Sequence, residues 1–357
     1  MSSASTATAP STQSGRPLVS IVINNYNYGR YLRAAIDGAL AQTYPHIEVI
    51  VVDDGSTDES REIIESYEKR ILPVIKANGG QGSALNAGFA ASRGEIVMFL
   101  DADDEYLEEA VDRVIAAWRP GVAKVQFQLE LIDDRGKPLG TLVPPFKDFI
   151  PNGDISDRIV RFGEYPTSPA SGNAYARAAL TRLMPLDEAI WSLAADKPLA
   201  LLTLFFGDVV TLCAPLGRYR IHAANSYRRM IARGIRDAND SALKGRYVEW
   251  LQRRLSAVYL VPETICRVAA AKGIELDPRV LGSTSREVKL RVASIRLNPK
   301  THPIAGDTRL GLLVMGIRAS LREPDMSLRV RASQIAWFVL MAVAPMAIVS
   351  RIAAPAR

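Results

Sequence analysis

Three short apolar runs, each closing on a polar cluster, set the pattern of the first hundred residues. They are Leu18–Tyr26 (LVSIVINNY), Ile47–Asp58 (IEVIVVDDGSTD) and Ile96–Glu105 (IVMFLDADDE). Continuous β-branched runs of this length predict strands buried on both faces, as in a parallel sheet. Between the first two, GRYLRAAIDGALAQ places Tyr31, Leu32, Ile36 and Leu40 at helical spacing. After the second, STDESREIIESYEK opens with Ser, Thr and Asp, the residues that cap helices. A weak strand, a helix over SALNAGFAAS and, beyond the third run, a helix over LEEAVDRVIAAW continue the alternation. Strand–helix alternation implies right-handed crossovers and an open α/β sheet with helices on both faces. In such sheets ligands bind beyond the carboxyl ends of the strands, so NNYN, DDGSTD and DADD are expected to share one crevice.

The pattern then changes. KVQFQLELIDDRGKPLG alternates as an antiparallel hairpin would, and VPPFKDFIPNGD reads as a proline-rich loop. After Ser226 the chain reads as helical and basic, with Leu243, Tyr247, Leu251, Leu255 and Val258 along one side of an amphipathic helix. Residues 335–349 (IAWFVLMAVAPMAIV) form the most apolar stretch. The reading divides the chain into a flexible Ser/Thr/Ala tail (1–15), an α/β domain (16–226), a basic helical region (227–327) and an apolar helix (328–357).

Composition narrows the class. Hydrophobic residues at 48% and charged residues at 23% describe a folded globular protein. Two distant cysteines, Cys213 and Cys266, fit neither a disulfide framework nor a zinc site, and Cys213 is expected in the core. The net charge of +6 is unevenly spread: residues 1–226 hold 21 Lys and Arg against 28 Asp and Glu, the remainder 23 against 10. A basic C-terminal part with few interleaved aromatics favours an anionic lipid surface and no nucleic-acid partner.

The acidic cluster carries the chemistry. Asp101, Asp103 and Asp104 cannot crowd together and stay ionised without a compensating cation. Oxygen ligands alone favour Mg²⁺ or Mn²⁺, which commonly share carboxylates with substrate phosphates. The competing reading is an acidic turn capping the next helix, since carboxylates are favoured there. The first strand leads into NNYNYGRYL rather than a G-x-G-x-x-G turn, and NGGQGSALN is not a phosphate-binding P-loop.

Together, VSIVINNYNYGRYLRAAIDGALAQTYPHIEVIVVDDGSTDES and NGGQGSALNAGFAASRGEIVMFLDADD resemble, over about 90 residues, the nucleotide-sugar half of family-2 glycosyltransferases of the GT-A fold. The resemblance implies a GT-A sheet, followed here by the C-terminal helical region, and inverting transfer from a nucleoside diphosphate sugar with Mg²⁺ or Mn²⁺. It implies that Asn24 and Tyr26 border the nucleobase and that Asp54, rather than Asp53, reads its edge. Asp101 and Asp103 correspond to the family's D-x-D, with Asp103 and Asp104 the contenders for ribose and metal contact. His222, in GRYRIHAANS, matches a basic cluster returning to the diphosphate or metal. Many relatives have Ala-Arg-Asn where this chain has Ala84, Leu85 and Asn86. In the acceptor half, SGNAYARAALTRLMPLDEAIWSLAADKPLALLTLFFGDV places Asp196 at the position of the catalytic base, with Ala195 where a Glu is common and Asp187 and Glu188 as runners-up. The expected acceptor is a glycan or lipid-linked molecule in cell-surface polysaccharide synthesis, and the expected location is the cytoplasm, at the inner face of the membrane. A noncatalytic sugar-nucleotide-binding scaffold is the alternative; a nucleotidyltransferase lacks its Gly-rich basic loop.

Overall fold

The computed structural model describes residues 16–222 except 147, 148, 163, 190 and 193, isolated positions between 255 and 275, and residues 284–349 except 324, 325 and 347. The tail over 1–15 and the amphipathic helix expected around 243–258 lie outside the described residues, apart from buried Leu255.

Strands β1 (Val19–Asn25), β2 (Ile47–Asp54), β3 (Leu72–Lys76) and β4 (Ile96–Asp101) form the parallel half of one sheet, in the order β3-β2-β1-β4. Crossovers run through α1 (Gly29–Leu40), α2 (Ser60–Glu65) and α3 (Gln81–Ala91). The strands read as continuous apolar runs because successive residues feed two different cores. Ile21, Ile23, Val51 and Met98 join one core with Leu32 and Ile36 of α1. Val22, Val52, Val97 and Phe99 join the other with Leu85 of α3.

Beyond β4 the sheet becomes mixed. β5 (Glu105–Tyr106) precedes α4 (Ala110–Ala117), and β6 (Val122–Ile132) forms the expected hairpin with β7 (Pro138–Val143). After α5 (Ser156–Phe162) come β8 (Asn173–Ala176), α6 (Arg177–Leu180), α7 (Asp196–Leu202) and β9 (Asp208–Arg220). The order continues β4-β8-β6-β9-β5, with β8 antiparallel to both neighbours and β9 parallel to β6. Three strands, β5, β8 and β9, were not legible in sequence. β5 stands where a helix cap was expected, because Glu105 and Tyr106 pair with Arg218 and Gly217. Cys213 is exposed rather than in the core: β9 shifts register between Leu212 and Pro215, and the irregularity turns Cys213 outward.

Three further helices, α8 (Ser285–Leu297), α9 (Arg309–Arg322) and α10 (Leu328–Val343), pack around Val288, Val292, Leu312, Phe338 and Met341. Among the described residues no helix is long and apolar enough to cross a membrane. Only one side of α10 is covered: Leu328, Val339, Leu340 and Val343 are exposed, as are Leu310, Val314 and Leu321 of α9.

Candidate active site

The parallel register brings the polar strand ends together. Asn24 lies opposite Asp101, and Asn25 opposite Asp53. Because consecutive side chains in a strand point to opposite faces, the two asparagines serve different partners. The Asn24 amide donates to Asp101 Oδ1 at 2.8 Å, and the Asn25 amide to Asp53 Oδ1 at 3.0 Å. Asn24 Oδ1 is buried with no hydrogen-bond partner among the described residues. Tyr26, just past β1, is 48% exposed.

Asp101, Asp103 and Asp104 bring one oxygen each within 4.8 Å of one another. Ser171, ahead of β8, donates to Asp104 Oδ2 at 2.6 Å and accepts the Asp101 N–H at 3.1 Å. The Arg220 N–H donates to Asp104 Oδ1 at 2.9 Å. Burial, and then Asp103, pushes the Asp101 carboxyl up to about 7. Burial with the charges of Asp103 and Asp101 drives the Asp104 carboxyl well above its ordinary value. Three crowded carboxylates, with Asp101 and Asp104 held towards their protonated forms by burial and neighbouring negative charge, fit a hard divalent cation.

The end of β9 closes over this turn. The Arg220 side chain donates to the Asp103 carbonyl at 2.9 Å, pairs with Glu105 and lies 4.9 Å from the Tyr31 ring. His222 Nε2 lies 2.9 Å from Asp103 Oδ2, and its ring rests 4.8 Å from Tyr31 and 5.4 Å from Tyr28. His222 therefore reaches the carboxylate turn through Asp103 and is held by two aromatic rings of the β1–α1 segment. Burial, followed by Asp103 and Asp101, pushes the Tyr28 phenol up.

The second acidic pair is engaged internally. Asp53, fully buried, accepts from Asn25, the Ser56 N–H at 3.2 Å and Arg61 at 3.3 Å. Asp54 accepts from Lys76 at 2.6 Å, the Gly79 N–H at 3.0 Å and the Gly80 N–H at 2.8 Å. Asp54 thus shapes the glycine-rich turn that begins α3. Asp58 accepts the Gly29 and Ser60 N–H groups at 2.9 and 3.1 Å, so one side chain serves the starts of both α1 and α2.

The glycine-rich turn meets the acceptor half. Gly82 N–H donates to the Trp191 carbonyl at 2.9 Å, and a Cβ on Gly82 would stand 2.4 Å from that oxygen. Gly80 has a φ of +84°, and a Cβ there would stand 2.7 Å from the Ser192 carbonyl oxygen. Gln81 Oε1 accepts the Ala195 N–H at 3.0 Å, while its amide favours the charged form of Asp101. α7 begins at Asp196 itself, after Ala194 at a φ of +57°. Asp196 is within electrostatic reach of Asp101. The runners-up are held elsewhere: Glu188 accepts from Asn86 at 3.1 Å and Asp187 from the Ala189 N–H at 3.0 Å. Leu85, at the position where the family resemblance leads to an arginine, is buried in the core behind β1 and β2. Gln81 and Ser171 were missed in sequence, since single polar residues, one at a helix start and one ahead of a short strand, carry no spacing signal.

With this geometry in view, residues 20–165 match the model of glycosyl transferase family 2. They form a glycosyl transferase family 2 domain. The chain is similar to an uncharacterized glycosyltransferase of Nostoc sp., 39% identical over 218 residues, covering 58% of this chain and 66% of that one. It also resembles an uncharacterized glycosyltransferase of Rickettsia prowazekii, 50% identical over 99 residues, or 28% of this chain and 31% of that one. The chain thus spans between about a third and just under two thirds of these two relatives. In fold it is similar to a mannosyltransferase from Pyrobaculum calidifontis solved with GDP-Man and Mn²⁺, at a TM-score of 0.51 and 18% identity over 96% of this chain and 85% of that one. The fold is GT-A, with a helical C-terminal region.

Proposed function

We propose that the chain is a metal-dependent inverting glycosyltransferase that moves a sugar from a nucleoside diphosphate sugar to a glycan or lipid-linked acceptor in cell-surface polysaccharide synthesis. The observation that carries the reading is the convergence of Asp101, Asp103 and Asp104 with the start of α7, across Gln81. The family match supports the reaction class.

Asp101, Asp103 and Asp104 would hold Mg²⁺ or Mn²⁺, with His222 reaching the same turn through Asp103. A bound cation supplies charge compensation for the diphosphate leaving group. Exposed Tyr26 offers an aromatic face to the nucleobase, beside Asn24 with its unused carbonyl. Asp54 and Asp53 act there chiefly by shaping the loops that border the base. Asp196 accepts the proton of the acceptor hydroxyl as its oxygen bonds to the anomeric carbon. The bond from that carbon to the diphosphate oxygen breaks, and its electron pair leaves with the nucleoside diphosphate. A single displacement of this kind inverts the anomeric centre.

The exposed apolar faces of α9 and α10, with Arg318, Arg322 and Arg329 also exposed, suit attachment to an anionic inner-leaflet surface. Attachment there would confine enzyme and lipid-linked acceptor to one plane at the cytoplasmic face.

A panel of nucleotide sugars, each with Mg²⁺ and with Mn²⁺, tests the reading by release of nucleoside diphosphate. Cation-dependent release from one donor supports it. Cation-dependent nucleotide binding without release or transfer from any donor favours a sugar-nucleotide-binding scaffold.

A further inference from the structure

β6 carries a lysine where a sheet core calls for an aliphatic side chain. Lys124 is fully buried, opposite Tyr175 of β8 and Val209 of β9. No carboxylate lies within ion-pair distance of its ammonium among the described residues. Its hydrogen-bond partners are two hydroxyls, Tyr165 Oη at 2.6 Å and Thr167 Oγ1 at 2.8 Å. A buried cation without a direct ion pair is costly to fold around, and an aliphatic residue of similar volume would be the more stable choice.

The hydroxyl network leads to α7. Tyr165 Oη donates to the Ala200 carbonyl at 2.7 Å, one turn beyond Asp196. That oxygen therefore accepts from Lys124 while its own proton goes to the helix. The chain Lys124, Tyr165, Ala200 pins the helix that begins at Asp196 to β6, an interior strand of the sheet.

Lys124 also lies within electrostatic reach of Asp196. Asp101 from β4, Tyr175 from β8 and Tyr219 from β9 are within the same reach. The neighbouring Lys197 is engaged by Glu287 of α8 at 2.8 Å. Burial draws the Lys124 amine well below its ordinary value, and Asp196 opposes that shift.

We infer that Lys124 is a positioning residue for glycosyl transfer, acting on Asp196 by anchoring α7 through Tyr165. The inference rests on Asp196 as the proposed base.

The test is a double-mutant cycle in the full chain, using the donor found by the nucleotide-sugar panel. Lys124→Met keeps the unbranched stem to the ε position without charge or donors, and Tyr165→Phe removes the relay alone. Each is expected to lower kcat by roughly tenfold or more, within the range for a misplaced catalytic group, while donor KM holds. Added to Asp196→Asn, either change should cost nothing further, because residues acting through one group are non-additive. If Asp196→Asn is slow but each second substitution multiplies the loss, the inference is overturned and the base assignment stands. If Asp196→Asn turns over normally, both fall. Should Lys124→Met fail to fold, Tyr165→Phe in the same cycle decides: a kcat loss absent from the Asp196→Asn background supports the inference, and unchanged or additive kinetics overturn it.

Discussion

Gln81 accepts the backbone N–H of Ala195 at 3.0 Å, a contact that ties the glycine-rich turn at the head of α3 to the residue before Asp196. The same side chain favours the ionised form of Asp101, so one amide touches both halves of the site. Gly80 and Gly82 allow the approach, since a Cβ on either would collide with backbone of the 191–192 segment.

Gly82→Ala should therefore displace the segment ahead of Asp196. The expected loss is about 1–3 kcal/mol in unfolding free energy, the usual range for forced overpacking against a rigid neighbour. Gln81→Ala is expected to leave the melting temperature nearly unchanged while lowering transfer by about tenfold, a scale reached by small errors in catalytic geometry. Thermal melts and kcat measured side by side check both; equal melting and equal transfer in the two variants would remove the 80–82 turn from the mechanism.

A second prediction follows from Asp101, whose carboxyl is raised from 3.8 to about 7. A raised carboxyl binds its proton more tightly in the folded state, so its contribution to stability is greatest at low pH. That contribution is lost as pH rises from about 4 towards about 7. Asp101→Asn should accordingly gain stability relative to the parent across this window when no cation is present. Cation binding must displace the retained protons, so Mn²⁺ affinity should rise with pH up to about 7. Calorimetry in buffers of different ionisation enthalpy reads the proton release directly; an affinity flat with pH and no protons released would contradict the carboxylate turn as the metal site.

Much of the parallel half was legible in sequence because its strands are buried on both faces and end in polar clusters, a pattern that specifies topology and crevice together. The register of Asn24 with Asp101 follows from that pattern. β5, β8 and β9 were not legible: β5 is two residues long, β8 is short, and β9 mixes polar, apolar and register-shifting residues over its length. The internal engagement of Asp53 and Asp54 was hidden for a related reason, since their partners Lys76, Gly79, Gly80 and Arg61 become neighbours only through the turns between strand and helix. Lys124 was silent in sequence, reading as one polar position in an alternating strand.

A third prediction concerns α9 and α10. Val343 is 75% exposed and Leu328 is 83% exposed, near Arg329 at the edge of the same surface. The full chain should sediment with anionic phospholipid vesicles, and replacing Leu328, Val339 and Val343 with serine should release it without altering donor hydrolysis. Each exposed side chain contributes on the order of 1.5–3 kcal/mol when fully buried, so three removals weaken a shallow insertion decisively. Equal sedimentation of parent and variant would assign the surface to another use.

The central claim is that the carboxylate turn binds the nucleotide with a cation and that Asp196 serves the transfer. Calorimetric titration of a nucleoside diphosphate, with and without Mn²⁺, into the parent, Asp101→Asn and Asp196→Asn measures the division of roles most directly. The account predicts cation-dependent binding in the parent and in Asp196→Asn, and its loss in Asp101→Asn. Identical affinities in all three proteins, unaffected by Mn²⁺, would contradict it.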